Sequence, residues 1–353
     1  MAQSRSKRAQ TSRSPRAEKP RPSRSSVQSS RRSGKKLIIL IPAYNEATTI
    51  TKVIEAIPES FVGIKTLQII VIDDGSTDTT AKLAKQSGAK VLSHTTNFGV
   101  GQALQTGLEA ALQAQADYVV NIDADGQFSP SDIQKLLKPL LAQEAEVVTG
   151  SRFLKANWTP PMDTSKYWGN RFMAWFLSQI LHQKITDATC GFRAFTREAI
   201  LRMQLFGRYT YTQEMFLQFR RQRLTFQEVA VRVRPTLRPG GKSHVVSSLS
   251  HYIFQASIIL LRSLRDYRPF HFFGLPGLFL ALIGTVSGGF TLFHYLQAGE
   301  ITPYKSLGFI ALFAWLGALL LFLVALIADM LDRIRSQQEK ILYYLRQDRF
   351  NRP

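Results

Sequence analysis

The stretch YVVNIDADGQ, residues 118–127, decides the fold of this chain. It opens with an apolar run of the kind that forms a buried parallel strand. The run ends in Asp123 and Asp125, two carboxylates that a buried strand does not easily hold. We therefore expect them at the carboxyl end of the strand, where open α/β sheets bind ligands. Oxygen ligands this close together suit a hard divalent cation, and phosphate oxygens of a substrate would complete its coordination shell. The alternative is a solvated, Asp-rich turn.

The alternation of apolar runs and helical spacing continues on both sides of this stretch. Strands are predicted at residues 37–41, 67–72, 89–92, 118–122 and 146–150, with helices at 47–57, 76–84 and 97–115 and a further helix from 129. Strands that alternate with helices in this way form a parallel sheet covered by helices. The fold class predicted from the residues is therefore α/β.

Polar residues follow the first two strands and are candidates for binding a nucleotide. Tyr44 is suited to stacking on a base, and Glu46 and Asp74 can accept hydrogen bonds from a base or a ribose. The NFGVG segment at 97–101 does not complete a dinucleotide fingerprint, because Leu104 stands where the third glycine belongs. The sequence also lacks a Walker-type phosphate loop. Taken singly, Asp74 is better explained as a turn residue, whereas the ordered set of polar residues at successive strand ends favours a binding site.

Charge is unevenly distributed along the chain. The formal net charge is +20, and residues 1–36 contain twelve Lys and Arg but one acid. This tail has too little apolar surface to fold, and we expect it to be disordered. Anionic lipid or nucleic-acid phosphates would suit it, although no aromatic residue offers base stacking. The lone Cys190 excludes an internal disulfide and is interpreted as a packing residue.

Two apolar stretches follow the α/β region. Residues 270–296 and 307–327 contain no Asp, Glu, Lys or Arg, and each is long enough to cross a bilayer. A buried core hairpin is the alternative. Residues 247–268 are predicted to lie in the membrane interface. Residues 332–353 have the spacing of an amphipathic helix.

Basic residues flank the two predicted spans on their outer sides. Arg262, Arg265 and Arg268 precede the first span, and Arg333 and Arg335 follow the second. The loop between the spans contains Lys305 as its sole basic residue. The positive-inside rule therefore predicts an integral membrane protein whose α/β domain and two termini are cytoplasmic. The predicted regions are a disordered tail (1–35), the α/β domain (36–246), a juxtamembrane helix (247–269), two transmembrane helices (270–331) and a C-terminal helix (332–353).

Four motifs in the α/β region resemble those of glycosyltransferase family 2. They are PAYNE at 42–46, DDGSTD at 73–78, DADGQ at 123–127 and GSR at 150–152. The subgroup that they resemble most comprises the dolichyl- or polyprenyl-phosphate hexose synthases. The resemblance extends over residues 36–244. It implies a GT-A fold, which is Rossmann-like with a mostly parallel sheet, followed here by two C-terminal transmembrane helices.

The resemblance also implies roles for the residues of these motifs. The residues that it implies for binding the nucleotide sugar are Pro42, Tyr44, Glu46, Asp74, Asp123 and Ala124. It implies that Asp123, Asp125 and Gln127 hold Mg²⁺ or Mn²⁺.

Further catalytic residues follow from the second half of the domain. The segment DATCGFR at 187–193 resembles the acceptor side of the family, and RPGGKS at 238–243 resembles a loop that closes on the donor phosphates. Arg152 and Arg238 would stabilise charge, Lys242 and Ser243 would contact the donor, and Asp187 would orient the acceptor or take a residual proton. His244 stands where the family often has Lys. From the residues alone, the glycine-rich loop is either a mobile phosphate clamp or a solvated basic loop.

The resemblance thus implies an inverting enzyme that moves one hexose from UDP- or GDP-hexose to undecaprenyl or dolichyl phosphate at the cytoplasmic membrane face. One alternative is a processive polysaccharide synthase, although residues 218–222 lack the Trp of a Q-x-x-R-W segment. The other is a membrane-tethered nucleic-acid binder, which leaves the strand-end acids unexplained. No nucleic-acid partner is expected, and a homo-oligomer is possible.

Overall fold

The computed structural model describes residues 34–158, 162–203, 211–234, 265 and 269–351. The basic tail before Gly34, the loop containing Arg238, Lys242, Ser243 and His244, and the predicted interfacial segment except Arg265 lie outside the described residues. The predictions made for those segments therefore stay predictions.

Within the described residues, seven strands form one sheet. They are β1 (Lys36–Ala43), β2 (Thr66–Asp73), β3 (Lys90–Ser93), β4 (Tyr118–Asn121), β5 (Val147–Ser151), β6 (Arg193–Thr196) and β7 (Phe226–Ala230). Their order is β3-β2-β1-β4-β6-β5-β7. β6 runs antiparallel to its neighbours β4 and β5, whereas the other pairs are parallel. The predicted mostly parallel α/β sheet is confirmed, and β6 and β7 are additions that the sequence pattern did not indicate.

Helices connect the strands and cover both faces of the sheet. They are α1 (Ile50–Glu55), α2 (Thr80–Gln86), α3 (Val100–Gln113), α4 (Ile133–Leu141), α5 (Thr164–Leu181), α6 (Arg197–Arg202) and α7 (Tyr211–Arg221). α1 is shorter than predicted. The helix predicted from residue 129 begins as a 3₁₀ turn over Pro130–Asp132. Pro130 suits this first turn, because the N–H that it lacks would have no acceptor within the helix.

The core has two apolar layers, one on each face of the sheet. Along β1, Ile38 and Leu40 contribute to one layer, and Leu37, Ile39 and Ile41 contribute to the other. This alternation follows from the two-residue period of a strand. The first layer includes side chains from α3, α5, α6 and α7, and the second includes side chains from α1 and α4. Helices on both faces explain why the central strands are apolar throughout.

Two long helices follow the α/β unit, α8 (Pro269–Ala298) and α9 (Lys305–Asn351). Both are long and apolar enough to cross a membrane. Large apolar side chains on them are mostly exposed, for example Leu278 and Phe313. A soluble core hairpin would bury those side chains, so an apolar environment suits the two helices better. The second predicted span and the predicted C-terminal helix form one continuous helix, α9, with no break at residue 332.

Candidate active site

The carboxyl ends of the parallel strands place the predicted acids at one edge of the sheet. β1 and β2 pair in parallel to their last residues, where Ala43 lies opposite Asp73. β4 pairs in parallel with the other side of β1. Tyr44, Asp74 and Asp123 therefore emerge from three adjacent strands. This is the edge at which open α/β sheets bind ligands.

The PAYNE and DDGSTD motifs are joined to each other by hydrogen bonds. The N–H of Asn45 donates to Oγ of Ser76 at 2.9 Å, and Oδ1 of Asn45 accepts from the N–H of Thr77 at 2.9 Å. Ser76 was predicted to start the following helix, but its hydroxyl binds the neighbouring loop and α2 begins at Thr80. Asn45 has a positive φ of 54°, which Asn tolerates better than most residues.

Two of the residues predicted to bind the nucleotide, Glu46 and Tyr44, differ in their exposure to solvent. Glu46 is buried, and its Oε2 accepts from the hydroxyl of Thr49 at 2.8 Å. Tyr44 is 37% exposed, which leaves its ring accessible for stacking on a base. Pro42 lies buried inside β1, opposite Ile72 of β2. Pro42 and Glu46 thus shape the loop that presents Tyr44.

Asp74 organises the loop that begins α3. Its carboxylate accepts from the N–H groups of Phe98 at 3.0 Å and Gly99 at 2.8 Å, and it lies 2.7 Å from Nδ1 of His94. Nε2 of His94 lies 3.0 Å from the hydroxyl of Thr106 on α3. A carboxylate has about four acceptor positions, so these three contacts leave one position, although Asp74 is only 3% exposed. The predicted contact of Asp74 with a base or ribose is compatible with this geometry, and His94 is a site residue that sequence reasoning missed.

The DADGQ motif forms a tight turn after β4. The N–H of Gln127 donates to Oδ1 of Asp125 at 3.0 Å, and Gly126 has a φ of 72°. The carbonyl of Gln127 accepts from the N–H of Arg234 at 2.8 Å, which ties the motif to the segment after β7. Ala124 is buried and anchors the turn in the core. The turn holds Asp125 and Gln127 two positions apart at the sheet edge.

The donor set of this turn fits a hard divalent ion held jointly with a substrate. Asp123, Asp125 and Gln127 offer carboxylate and amide oxygens, which Mg²⁺ and Mn²⁺ prefer. Among the described residues, no group of three or more His, Cys, Asp or Glu side chains forms a site that could hold a metal by itself. An ion at this turn would complete its shell with phosphate oxygens, as Mg²⁺ sites commonly do.

Arg152 and Asp187 form a buried bidentate pair next to the DADGQ turn. Nε of Arg152 donates to Oδ2 of Asp187 at 2.6 Å, and Nη2 donates to Oδ1 at 2.7 Å. Nη2 also donates to the hydroxyl of Thr189 at 2.6 Å. Burial acts to lower the pKa of Arg152, but the attraction and hydrogen bonds of Asp187, with a contribution from Asp123, raise it overall. Arg152 is therefore a permanent, oriented cation within electrostatic reach of the predicted metal ligands.

Glu228 supports this pair from β7. Its two oxygens accept from the N–H groups of Thr186 at 2.9 Å and Asp187 at 3.0 Å, and the hydroxyl of Thr186 donates to it at 2.8 Å. Burial raises the pKa of Glu228, and these hydrogen bonds offset part of that effect. Sequence reasoning missed Glu228, which fixes the backbone that presents Asp187.

The rest of the DATCGFR segment is structural. Cys190 is fully enclosed, and burial raises the pKa of its thiol to about 12, which confirms its packing role. Arg193 is fully buried on β6, where Nη2 donates to the carbonyl of Thr212 at 2.9 Å and the guanidinium lies 4.8 Å from the ring centre of Phe216. The segment thus contributes Asp187 and Thr189 to the site and Arg193 to the core.

With this geometry in place, comparisons with known proteins identify the family. The profile of glycosyl transferase family 2 matches residues 38–203. A UDP-N-acetylglucosamine–dolichyl-phosphate N-acetylglucosaminyltransferase from Methanococcus voltae is 32% identical, over 56% of this chain and 85% of its own length. This chain belongs to glycosyltransferase family 2. An undecaprenyl-phosphate mannosyltransferase from Micrococcus luteus is 28% identical to this family 2 chain, over 48% of the chain and 70% of the relative.

A solved structure gives the fold by comparison. Glucosyl-3-phosphoglycerate synthase from Mycobacterium tuberculosis, in complex with Mn²⁺, UDP-glucose and phosphoglyceric acid, superposes with a TM-score of 0.50 at 25% identity. The match covers 66% of this chain and 80% of that chain. The GT-A fold that the family resemblance implied is thereby confirmed, and the chain is a glycosyltransferase.

Proposed function

We propose that this enzyme transfers a single hexose from UDP- or GDP-hexose to a polyprenyl phosphate at a membrane surface. One observation carries the proposal: a strand-end acidic site and two exposed apolar helices occur in one compact unit. Such helices suit an enzyme whose acceptor lies in a bilayer. Relatives named as dolichyl- and undecaprenyl-phosphate sugar transferases support the same acceptor class.

The donor would bind at the ends of β1, β2 and β4. Tyr44 offers its exposed ring to the base, and the remaining acceptor position of Asp74 suits a hydrogen bond from the base or ribose. Asp123, Asp125 and Gln127 would hold Mg²⁺ or Mn²⁺, which supplies charge stabilisation to the departing diphosphate when bound. The structural neighbour in complex with Mn²⁺ and UDP-glucose supports a divalent ion and a nucleotide sugar as ligands of this enzyme.

The acceptor phosphate would approach from the side of β5. A lipid phosphate is largely ionised near neutral pH, because its second pKa lies near ~6. It therefore needs little help from a general base. Asp187 binds Arg152 through both oxygens, which favours a role in orienting that guanidinium over a role in taking a proton.

The reaction would then be a single displacement with inversion. A phosphate oxygen of the acceptor forms a bond to the anomeric carbon while the bond from that carbon to the nucleoside diphosphate breaks. The diphosphate leaves with the electron pair, and no proton needs to move. Arg152 offsets the negative charge that gathers between the two phosphate groups. Arg238 and Lys242, which lie outside the described residues, are proposed to act with it.

The proposed orientation puts the catalytic domain and both termini on the cytoplasmic side. Arg333 and Arg335 follow the apolar part of α9, whereas Lys305, the first residue of α9, is the sole basic residue between the two apolar stretches. Cytoplasmic loops carry the excess of Lys and Arg.

The test uses the full chain in lipid nanodiscs with a panel of labelled nucleotide hexoses and polyprenyl phosphate. We expect label to enter the organic phase as one sugar that mild acid releases. Label that stays in the aqueous phase and grows into a polymer would support a processive synthase instead. The variant Asp163→Asn, an exposed acid on the loop before α5, is the control for general effects of substitution.

A further inference from the structure

Helix α9 binds the catalytic domain at a series of points beyond its apolar part. Nη2 of Arg221 donates to Asp332 at 2.8 Å, and its Nε donates to Glu339 at 2.9 Å. Farther along, the hydroxyl of Tyr343 donates to Glu198 at 2.9 Å. At the end of the helix, Phe350 is buried in the core layer that contains α3 and α6.

These contacts follow the order of the strands across the sheet. Arg221 ends α7, which leads into the edge strand β7, whereas Glu198 lies on α6, directly after β6. The carbonyl of Phe350 accepts from Arg197 at 2.8 Å and from Gln115, the latter just before β4. From residue 332 to residue 350 of α9, the contact points therefore run from the β7 edge of the sheet toward its centre.

The direction of α9 therefore orients the domain relative to a membrane that α9 crosses. The uncharged apolar run ends shortly before Asp332, and residues 332–350 extend for about 27 Å at 1.5 Å per residue. The β7 edge lies at the start of this extension and the centre of the sheet near its end. The β7 edge is thus the side that faces the bilayer.

The carboxyl end of α5 lies near this same edge. Nε2 of Gln183, just after α5, donates to the carbonyl of Phe226 at the start of β7, at 3.0 Å. Nearer its amino end, Oδ1 of Asn170 accepts from the N–H of Ala188 and the hydroxyl of Thr189, both at 3.1 Å. Met173 and Leu177 pack into the core. The inner face of α5 is therefore fixed, and it reaches from the β7 edge to the residues around the Arg152–Asp187 pair.

The outer face of α5 carries three large aromatic side chains in contact with solvent. Trp168, Phe172 and Trp175 are 65%, 51% and 56% exposed. Spacings of four and three residues put them on one face of the helix, and we call this set the aromatic stripe. The rings of Phe172 and Trp175 lie 5.9 Å apart. Exposed aromatic residues in a contiguous set commonly mark an interaction surface.

The chemistry of the aromatic stripe suits a lipid surface. Tryptophan is enriched at membrane–water interfaces, where its ring is buried and its N–H stays hydrated. Arg171 lies beside the stripe and is exposed, as is Lys166 near the start of α5. Their positive charges complement anionic headgroups, and Lys166 also pairs with Asp163 at 3.2 Å.

We propose that the aromatic stripe of α5 rests in the headgroup layer of the bilayer and forms a second membrane contact of the catalytic domain. This inference rests on the membrane attachment proposed above. Through Asn170, the same helix holds Thr189, which accepts a hydrogen bond from Arg152. The aromatic stripe would therefore bring the acceptor side of the site to the depth of a lipid phosphate.

The test places an environment-sensitive probe at single cysteines in the full chain. The natural Cys190 is buried with a raised pKa, so it does not compete for the label. Trp168→Cys, Phe172→Cys and Trp175→Cys are labelled one at a time and reconstituted in nanodiscs of phosphatidylcholine and phosphatidylglycerol. Val62→Cys, at a site that is 79% exposed before β2, is the control for a probe in water. Leu292→Cys on α8 is the control for a probe in lipid.

We expect probes on the aromatic stripe to be quenched by spin-labelled lipid and to be several-fold less accessible to aqueous iodide than the Val62 probe. Stripe probes that iodide reaches as readily as the Val62 probe would overturn the proposal. Protection that persists in detergent, depends on protein concentration and ignores spin-labelled lipid would overturn it in favour of a second copy of the chain. Failure of lipid to quench the Leu292 probe would contradict the membrane attachment itself.

Discussion

The guanidinium of Arg221 donates through Nε to Oε2 of Glu339 over 2.9 Å, although the two residues lie 118 positions apart. The same side chain binds Asp332, about two helical turns earlier on α9. Neither pairing is visible in the sequence, in which residues 332–353 read as a separate amphipathic helix. The pairing makes α9 part of the catalytic domain as well as a candidate membrane span.

Breaking this pairing should release the end of α9. We expect Arg221→Gln to destabilise the docked helix by about 1.5 to 3 kcal/mol, the range for hydrogen bonds to charged groups. Amide hydrogen exchange over residues 332–350 should then be faster. Arg333→Gln is the matched control, because Arg333 pairs with Asp329 on the exposed surface of the same helix. Equal exchange in wild type and Arg221→Gln would show that α9 docks without this pair.

The metal prediction is tested at Asp125. Asp125→Asn keeps the shape of the side chain and removes its charge, so we expect turnover to fall by about 100-fold or more, as when a charge-stabilising group is lost. The loss should be partly recovered at high Mn²⁺ or Mg²⁺. Asp163→Asn should leave both turnover and the dependence on metal unchanged. Normal activity of the wild type in excess chelator would contradict a divalent ion at the DADGQ turn.

The Arg152–Asp187 pair separates two roles for Asp187. If Asp187 orients Arg152, Asp187→Asn should lower kcat/KM by a similar factor, about 100-fold, at every pH, because the oriented charge is lost. If Asp187 took a proton, the acidic limb of the wild-type pH profile would disappear in the variant. Thr189→Val removes one contact of Arg152 and should have a smaller effect. A pH-rate profile from about pH 4.5 to 8.5 distinguishes the two roles.

Glu228 gives a prediction for stability against pH. Its pKa is raised above the ordinary 4.5 in the folded protein, so folding favours the protonated carboxyl. The contribution of protonated Glu228 to the stability of the folded protein is therefore complete below pH 4.5, the ordinary pKa of the group, and is lost as pH rises through the folded-state pKa. Glu228→Gln does not titrate. The Tm of wild type minus that of the variant should thus fall as pH rises from below 4.5 toward neutrality, and a difference that rises with pH would refute the assignment.

The sequence predicted the sheet edge well because the apolar runs of β1, β2 and β4 each end in polar residues at a fixed place. It did not predict β6, since a four-residue strand that begins with the fully buried Arg193 looks polar and too short. His94 and Glu228 escaped for a different reason. His94 contacts Asp74, which lies 20 positions away, and Glu228 contacts Thr186, which lies 42 positions away. Patterns of local spacing cannot reveal such distant pairs.

The pairing of Arg152 with Asp187 shows the same limit. Both residues were predicted as separate catalytic groups, one for phosphate and one for the acceptor. The structure joins them over 35 positions of sequence through three hydrogen bonds, two of which come from the guanidinium. Family resemblance can single out residues for a site, but it is the geometry of the folded chain that shows which side chain acts through which.

If α9 crosses a bilayer as proposed, its continuity links the catalytic domain to the thickness of that bilayer. A helix whose apolar length exceeds the hydrocarbon layer tilts, and a thicker membrane reduces that tilt. Because α9 continues without a break into its contacts with α6 and α7, any such tilt is passed to the whole sheet. Lipid composition would therefore set the angle at which the sheet edge meets the headgroups. Membranes of different acyl-chain length would change the distance between the active site and the lipid phosphates, although the active-site residues stay the same.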